Sequence, residues 1–174
     1  MKTKIDDVVL IDIPKIVDPK GRGKLSVIEK DVIPFSIKRV YYLYDVPSDS
    51  YRGGHAHKKL IQLMIPLSGS FEVLLDDGKK RKKVMLNKPD KGLLIPQGIW
   101  REMDNFSSGA ICMVLASDNF DESDYFRDYD QFKQFKHFWF YTNNLAYTDQ
   151  TKINKDLYLS LIHISEPTRR RGIT

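Results

Sequence analysis

The chain has 174 residues, 41% hydrophobic and 29% charged, with a formal net charge of +5. These values suit one soluble domain large enough for a proper core. The basic residues are scattered, which argues against nucleic acid as a partner, and no run is long enough to cross a bilayer.

Residues 1 to 7 (Met-Lys-Thr-Lys-Ile-Asp-Asp) carry no apolar leader, and Cys112 is the only cysteine. Together these predict a cytoplasmic protein without an intrachain disulfide. Between Ile111 and Met113, Cys112 reads as part of a core strand rather than a nucleophile.

Val8 to Ile13 predicts a first strand, stopped by Pro14. A turn at Asp18-Pro19-Lys20-Gly21-Arg22-Gly23 leads to a second strand, Lys24 to Glu29. Ile37 to Val46 predicts a third, with Ile37, Arg39, Tyr41 and Leu43 on one face and Lys38, Val40, Tyr42 and Tyr44 on the other. The string Arg52-Gly53-Gly54-His55-Ala56-His57-Lys58 opens the next. Two of the four histidines sit there, and a one-residue gap in extended chain puts both imidazoles on one face. Such a pair can bind a metal or move protons. Phe71 to Leu75 returns across Asp77-Gly78 as a hairpin, and Lys82 to Leu86, Gly92 to Ile95 and Ala110 to Ala116 complete the set.

Roughly eight or nine short strands at regular spacing, with no helix before residue 121, predict an all-β sandwich or barrel. Asp121 to Phe138 predicts a short helix, with Tyr125, Tyr129, Phe132, Phe135 and Phe138 along it. The pattern fades after about residue 140, so residues 1–138 are expected to form the domain and 139–174 an extension or tail. Arg169-Arg170-Arg171 reads as part of a solvated terminus.

Two motifs resemble those of the cupin superfamily, an all-β jelly-roll barrel. The first is met by His55, His57, Gln62 and Gly69, with glutamine where a metal cupin has glutamate. The second is met by Gly92, Pro96, Gly98, Arg101 and Asn105, with arginine where the third histidine stands. A neutral amide and a guanidinium in place of two ligands exclude tight metal binding, because a guanidinium has no lone pair to give. No metal and no cofactor are therefore expected. More narrowly, Lys38-Arg39-Val40-Tyr41-Tyr42, the Arg52–Lys58 string, Pro96-Gln97-Gly98-Ile99-Trp100-Arg101 and the stretch Asp124 to Asp130 resemble the nucleotide-sugar 3,4-ketoisomerases. Their relatives are the metal-free epimerases of the dTDP-rhamnose pathway.

The resemblance implies acid–base isomerisation of a dTDP-4-oxo-6-deoxyhexose, its ketone moving from C4 to C3. It also implies a homodimer that exchanges N-terminal strands, and a place in making an unusual deoxy or deoxyamino sugar for a surface polysaccharide, lipopolysaccharide or S-layer glycan. His55 is then the base that works on carbon, and His57 a partner that orients the site or shuttles the proton. Tyr41 is the acid or relay, with Tyr42 and Tyr44 as rivals should the strand phase slip by one. Arg101 would stabilise the enediolate, and Arg22, Arg52 and Lys58 are candidates for the diphosphate. Trp100 or a tyrosine would stack on the thymine. A dTDP-sugar 3,5-epimerase and a non-catalytic sugar-nucleotide-binding cupin remain as alternatives.

Overall fold

In a computed structural model, the structure describes residues 3–145, with side chains through 138. A compact unit spans Met1–Trp139, and Phe140–Thr174 forms a second. The triple arginine and most of the expected extension lie outside the described residues.

Two antiparallel five-stranded sheets face each other. The first has the order β1 (Val9–Asp12), β9 (Lys91–Ile95), β6 (Gln62–Ser68), β11 (Ile111–Ala116), β4 (Arg39–Leu43). The second has the order β12 (Tyr125–Phe126), β5 (Arg52–His57), β10 (Trp100–Asp104), β7 (Phe71–Asp76), β8 (Arg81–Leu86). The strand spacing predicts an all-β sandwich or barrel, and the arrangement takes the jelly-roll form that the cupin resemblance implies. A separate two-stranded hairpin pairs β2 (Lys15–Val17) with β3 (Lys24–Ser26). β2 lies just beyond Pro14, where the sequence predicts only a break. A proline ends one strand without preventing the next.

Alternation along the strands fills the space between the sheets. Met64, Phe71, Val73, Leu75, Leu86, Leu93, Ile95, Met103, Cys112 and Val114 form one buried cluster. Cys112 is inert there, since burial pushes its thiol up to about 12. The apolar filling occupies one part of the interior; the other holds polar side chains and the cavity described below.

The helix differs from expectation at its start. Asp121 accepts from the Ser123 amide at 2.9 Å and closes a single 3-10 turn, Glu122–Asp124. Tyr125 and Phe126 then pair with His57 and Ala56 as an edge strand. The helix α1 runs Tyr129–Leu145, because Asp128 Oδ1 accepts from the Gln131 amide at 2.8 Å and caps it there. Phe132 of α1 is buried against Ala56 and Trp100 on the outer face of the second sheet. Lys136, also buried, donates to the Thr3 and Gly98 carbonyls at 2.8 and 2.9 Å. The Gly98 amide in turn donates to the His57 carbonyl at 2.7 Å, so the helix braces the strand that carries the histidines.

Candidate active site

The Arg-Gly-Gly string owes its glycines to backbone geometry. β5 pairs with β10 so that Arg101 lies opposite His55, yet Glu102 lies opposite Gly53. Gly54 is therefore the extra residue of a bulge. Gly53 adopts φ of +90°, and a Cβ there would come within 2.8 Å of the Arg101 carbonyl oxygen. Cross-strand partners share a face, so His55 and Arg101 both point between the sheets. The period of two then sends Trp100 and Glu102 to the outside.

A cavity of about 390 Å³ opens between the sheets. His55 and Arg52 reach it from β5, and Arg39, Tyr41 and Leu43 from β4. Phe120, Tyr125 and Arg127 close its third side. The Arg39 guanidinium lies over the Tyr41 ring at 4.9 Å and that of Arg127 over Tyr125 at 4.4 Å. Three guanidinium groups thus border a partly apolar chamber, an arrangement suited to an anionic ligand with an apolar body.

His57 lies deeper and is fully buried. Its ring is edge-on to His55 at 5.0 Å and to Tyr125 at 4.3 Å. Its Nδ1 stands 3.0 Å from Asp124 Oδ2, and the same carboxylate accepts from the Lys59 and Leu60 amides at 2.7 and 3.2 Å. Burial, with the nearby Arg101 charge, drives the His57 imidazole far below its ordinary range. The ring is neutral, and a carboxylate needs a donor, so Nδ1 carries the hydrogen and Nε2 the lone pair. Burial first and Arg101 second also lower His55, to about 3. Both rings are free bases at neutral pH.

Arg101, opposite His55, is fully buried. It donates from Nη2 to Gln62 Oε1 at 2.9 Å and from Nη1 to the His55 carbonyl at 3.2 Å. Gln62 Nε2 donates to the Tyr41 oxygen at 2.8 Å. Burial raises the Tyr41 phenol above its ordinary value, against the lowering pull of Arg101. Five buried side-chain atoms among the described residues lack a protein partner, and four belong here: Arg39 Nε, His55 Nδ1, His57 Nε2 and Arg101 Nε. Unmatched buried polar groups cost about 1–3 kcal/mol each, and their concentration marks a place built for a ligand.

The donor set does not fit a metal. The Gln62 oxygen is taken by Arg101, and a guanidinium stands where a further ligand would be. Among the described residues, no group of three or more His, Cys, Asp or Glu side chains could hold an ion.

His55, Tyr41 and Arg52 line one chamber, while His57 and Arg101 are fully buried and contact His55, His57 through its ring and Arg101 at the backbone carbonyl. Of the three candidate tyrosines, Tyr41 lines the cavity, whereas Tyr42 and Tyr44 are exposed and do not. Three expected residues stand elsewhere. Trp100 is on the outer face, packed against Tyr129 and Phe132, with its indole donating to Glu102 at 2.8 Å. It cannot stack on a ligand in the cavity. Lys58 donates to the Ser123 carbonyl at 2.6 Å and lies over Phe126. Arg22 sits in the exposed β2–β3 turn, paired with Asp18 at 2.7 Å. Sequence reasoning missed Asp124, Arg39, Tyr125 and Arg127 as site residues. The first, third and fourth lie in the stretch read as the start of a helix, while Arg39 was placed on the Tyr41 face but given no task.

A family model described as WxcM-like, C-terminal (FdtA) matches residues 6–137. The chain belongs to this family. It is 49% identical over 122 residues to a TDP-4-oxo-6-deoxy-alpha-D-glucose-3,4-oxoisomerase of Aneurinibacillus thermoaerophilus, covering 70% of this chain and 86% of that protein. A 3,4-ketoisomerase of Helicobacter canadensis superposes with a TM-score of 0.72 at 45% identity, covering 75% of this family member and 98% of that chain. A mutant of the 3,4-ketoisomerase QdtA of Thermoanaerobacterium thermosaccharolyticum, solved with TDP-4-keto-6-deoxyglucose, gives 0.73 at 42% identity, covering 76% and 96%. A dTDP-4-dehydrorhamnose 3,5-epimerase of Bacillus anthracis matches at 18% identity with a TM-score of 0.61, a likeness of fold alone.

Proposed function

We infer that this protein is an isomerase that moves the ketone of a TDP-4-oxo-6-deoxyhexose from C4 to C3. The observation that carries the reading is that a neutral His55 and Tyr41 line one cavity, with the buried Arg101 cation linked to them through the His55 carbonyl and Gln62.

His55 takes the proton from C3. The C3–H electron pair forms a C3–C4 double bond, and the C4 oxygen takes the Tyr41 proton. In the enediol so formed, the C3 hydroxyl returns its proton to Tyr41 and His55 delivers its own to C4. The product has a C3 ketone and a C4 hydroxyl; no electron leaves the sugar, so no redox cofactor is needed. His57, fixed by Asp124, presents Nε2 as a relay or orienting base. Arg101 stabilises the developing enediolate through space and through Gln62. Positioned acid–base groups of this kind contribute about 10²–10⁴ in rate. Arg52 is retained as a diphosphate contact, joined by Arg39 and Arg127, which line the same cavity.

The working unit is a homodimer with exchanged N-terminal strands. The β2–β3 hairpin pairs with neither sheet and leaves Ile16, Val17 and Leu25 exposed, apolar surface that a second copy would cover. Arg22, in the turn of that hairpin, would then serve the other copy's site, and light scattering at a monomer mass would refute this arrangement. The proposed setting is cytoplasmic. A 3-oxo product has the carbonyl an aminotransferase needs, which fits supply of a deoxyamino sugar to a surface glycan.

Incubation with TDP-4-oxo-6-deoxyglucose, followed by NMR, tests the reaction. A 3-oxo sugar is expected, and its C4 configuration is read in the same spectrum. Deuterium exchange at C3 and C5 without ketone migration would replace this reading with epimerisation.

A further inference from the structure

Gln62 is a fully buried amide that contacts both Arg101 and Tyr41, and its chemistry is constrained from each side. An arginine side chain only donates hydrogen bonds. The Gln62 atom facing Arg101 Nη2 at 2.9 Å must therefore be the amide oxygen. That choice turns the NH₂ group toward Tyr41, whose oxygen lies 2.8 Å away. The amide nitrogen has no lone pair to offer, so the phenol oxygen accepts. A phenol that accepts there has its single hydrogen left for another partner, and Tyr41 lines the cavity. Arg101 thus sets the amide, and the amide sets the phenol. The arrangement reaches from one sheet to the other, β10 to β6 and over β11 to β4.

We propose that Gln62 is a positioning residue for the isomerisation: locked by Arg101, it donates to Tyr41 and so presents the phenol hydrogen to the substrate oxygen. When that hydrogen leaves, the same N–H supports the phenolate until the proton returns. The proposal rests on the ketoisomerase reading and adds a task for a residue that the sequence marks only as the replacement for a cupin metal ligand. Burial of Tyr41, which keeps the phenol protonated at neutral pH, agrees with a role as donor.

Gln62→Glu separates this role from a structural one. The carboxylate keeps an acceptor for Arg101 but has no hydrogen for Tyr41, so the phenol turns its hydrogen inward. The expected result is a fall in kcat of about 10²-fold, with melting temperature and the Kd for TDP nearly unchanged. A merely structural glutamine predicts near wild-type turnover, because Arg101 remains paired. Gln62→Met, which removes both contacts at similar length, should lose kcat to a similar degree and serves if the glutamate variant does not fold. In the Tyr41→Phe background both substitutions should cost less than about threefold, since residues acting through one another are non-additive. Turnover of Gln62→Glu within about threefold of wild type, or the same fold-loss with and without Tyr41, would overturn the proposal. A wild-type protein that binds TDP but converts no 4-oxo sugar would instead overturn the ketoisomerase reading, and the proposal with it.

Discussion

Acid should unfold this protein through two desolvated histidines, the partly buried His55 and the fully buried His57, well above the pH at which its carboxylates titrate. In the unfolded chain each imidazole takes up a proton below its ordinary value of 6.5, while in the folded chain His55 resists until about 3 and His57 resists further. Protons bind the unfolded state more strongly across that window, so stability is complete above 6.5 and falls as the pH drops toward 3. At pH 5 the unfolded state gains about 2 kcal/mol per histidine, or about 4 kcal/mol for the pair. For a chain of this size that corresponds to a melting temperature roughly 10 °C lower than at pH 8. Carboxylates such as Asp18 and Glu72, held down by Arg22 and Lys83 respectively, act below their ordinary 3.8 and 4.5 and contribute little at pH 5. Circular-dichroism melts of wild type and of His55→Asn/His57→Asn at both pH values provide the assay. The double variant should lose most of the pH dependence. A wild-type melting temperature equal at pH 5 and pH 8, or an equal drop in the double variant, would refute the account of two neutral, desolvated rings.

Trp100→Ala should destabilise by about 3–5 kcal/mol, because a large buried ring is lost between sheet and helix, yet leave the Kd for TDP unchanged in titration calorimetry. A loss of TDP affinity at intact fold would contradict its outward placement. Arg101→Met should lower kcat by about 10²–10³ and bring the His55 imidazole closer to its ordinary value in an NMR titration, since the guanidinium is the second cause of its depression after burial. An unchanged His55 titration would show that Arg101 does not act on it.

The strand signals were readable along the chain because alternation is a local property. Val40, Tyr42 and Tyr44 against Arg39, Tyr41 and Leu43 already separate an outer from an inner face, and the structure keeps that division. The His55–x–His57 spacing likewise places both rings on one side of any extended strand. The same rule, applied to β10, would have removed Trp100 from the site once Arg101 was taken as inward, since neighbours on a strand face opposite ways. The stretch from Asp121 misled for a different reason. Its aromatics at 125, 129 and 132 fit a helical period, but the Asp121 turn and pairing with β5 claim Tyr125 and Phe126 first.

The residues alone determined an all-β sandwich or barrel and a histidine pair turned to one face, and the cupin resemblance added that Gln62 and Arg101 stand where a metal cupin has ligands that a neutral amide and a guanidinium cannot replace. Those conclusions rest on period, turn chemistry and the donor properties of side chains, all carried by the local sequence. Which groups meet was decided only by folding: Asp124 reaches His57 across 67 positions, and Arg101 reaches Gln62 across 39. The neutral state of both imidazoles was decided there too, because desolvation depends on what closes over a side chain.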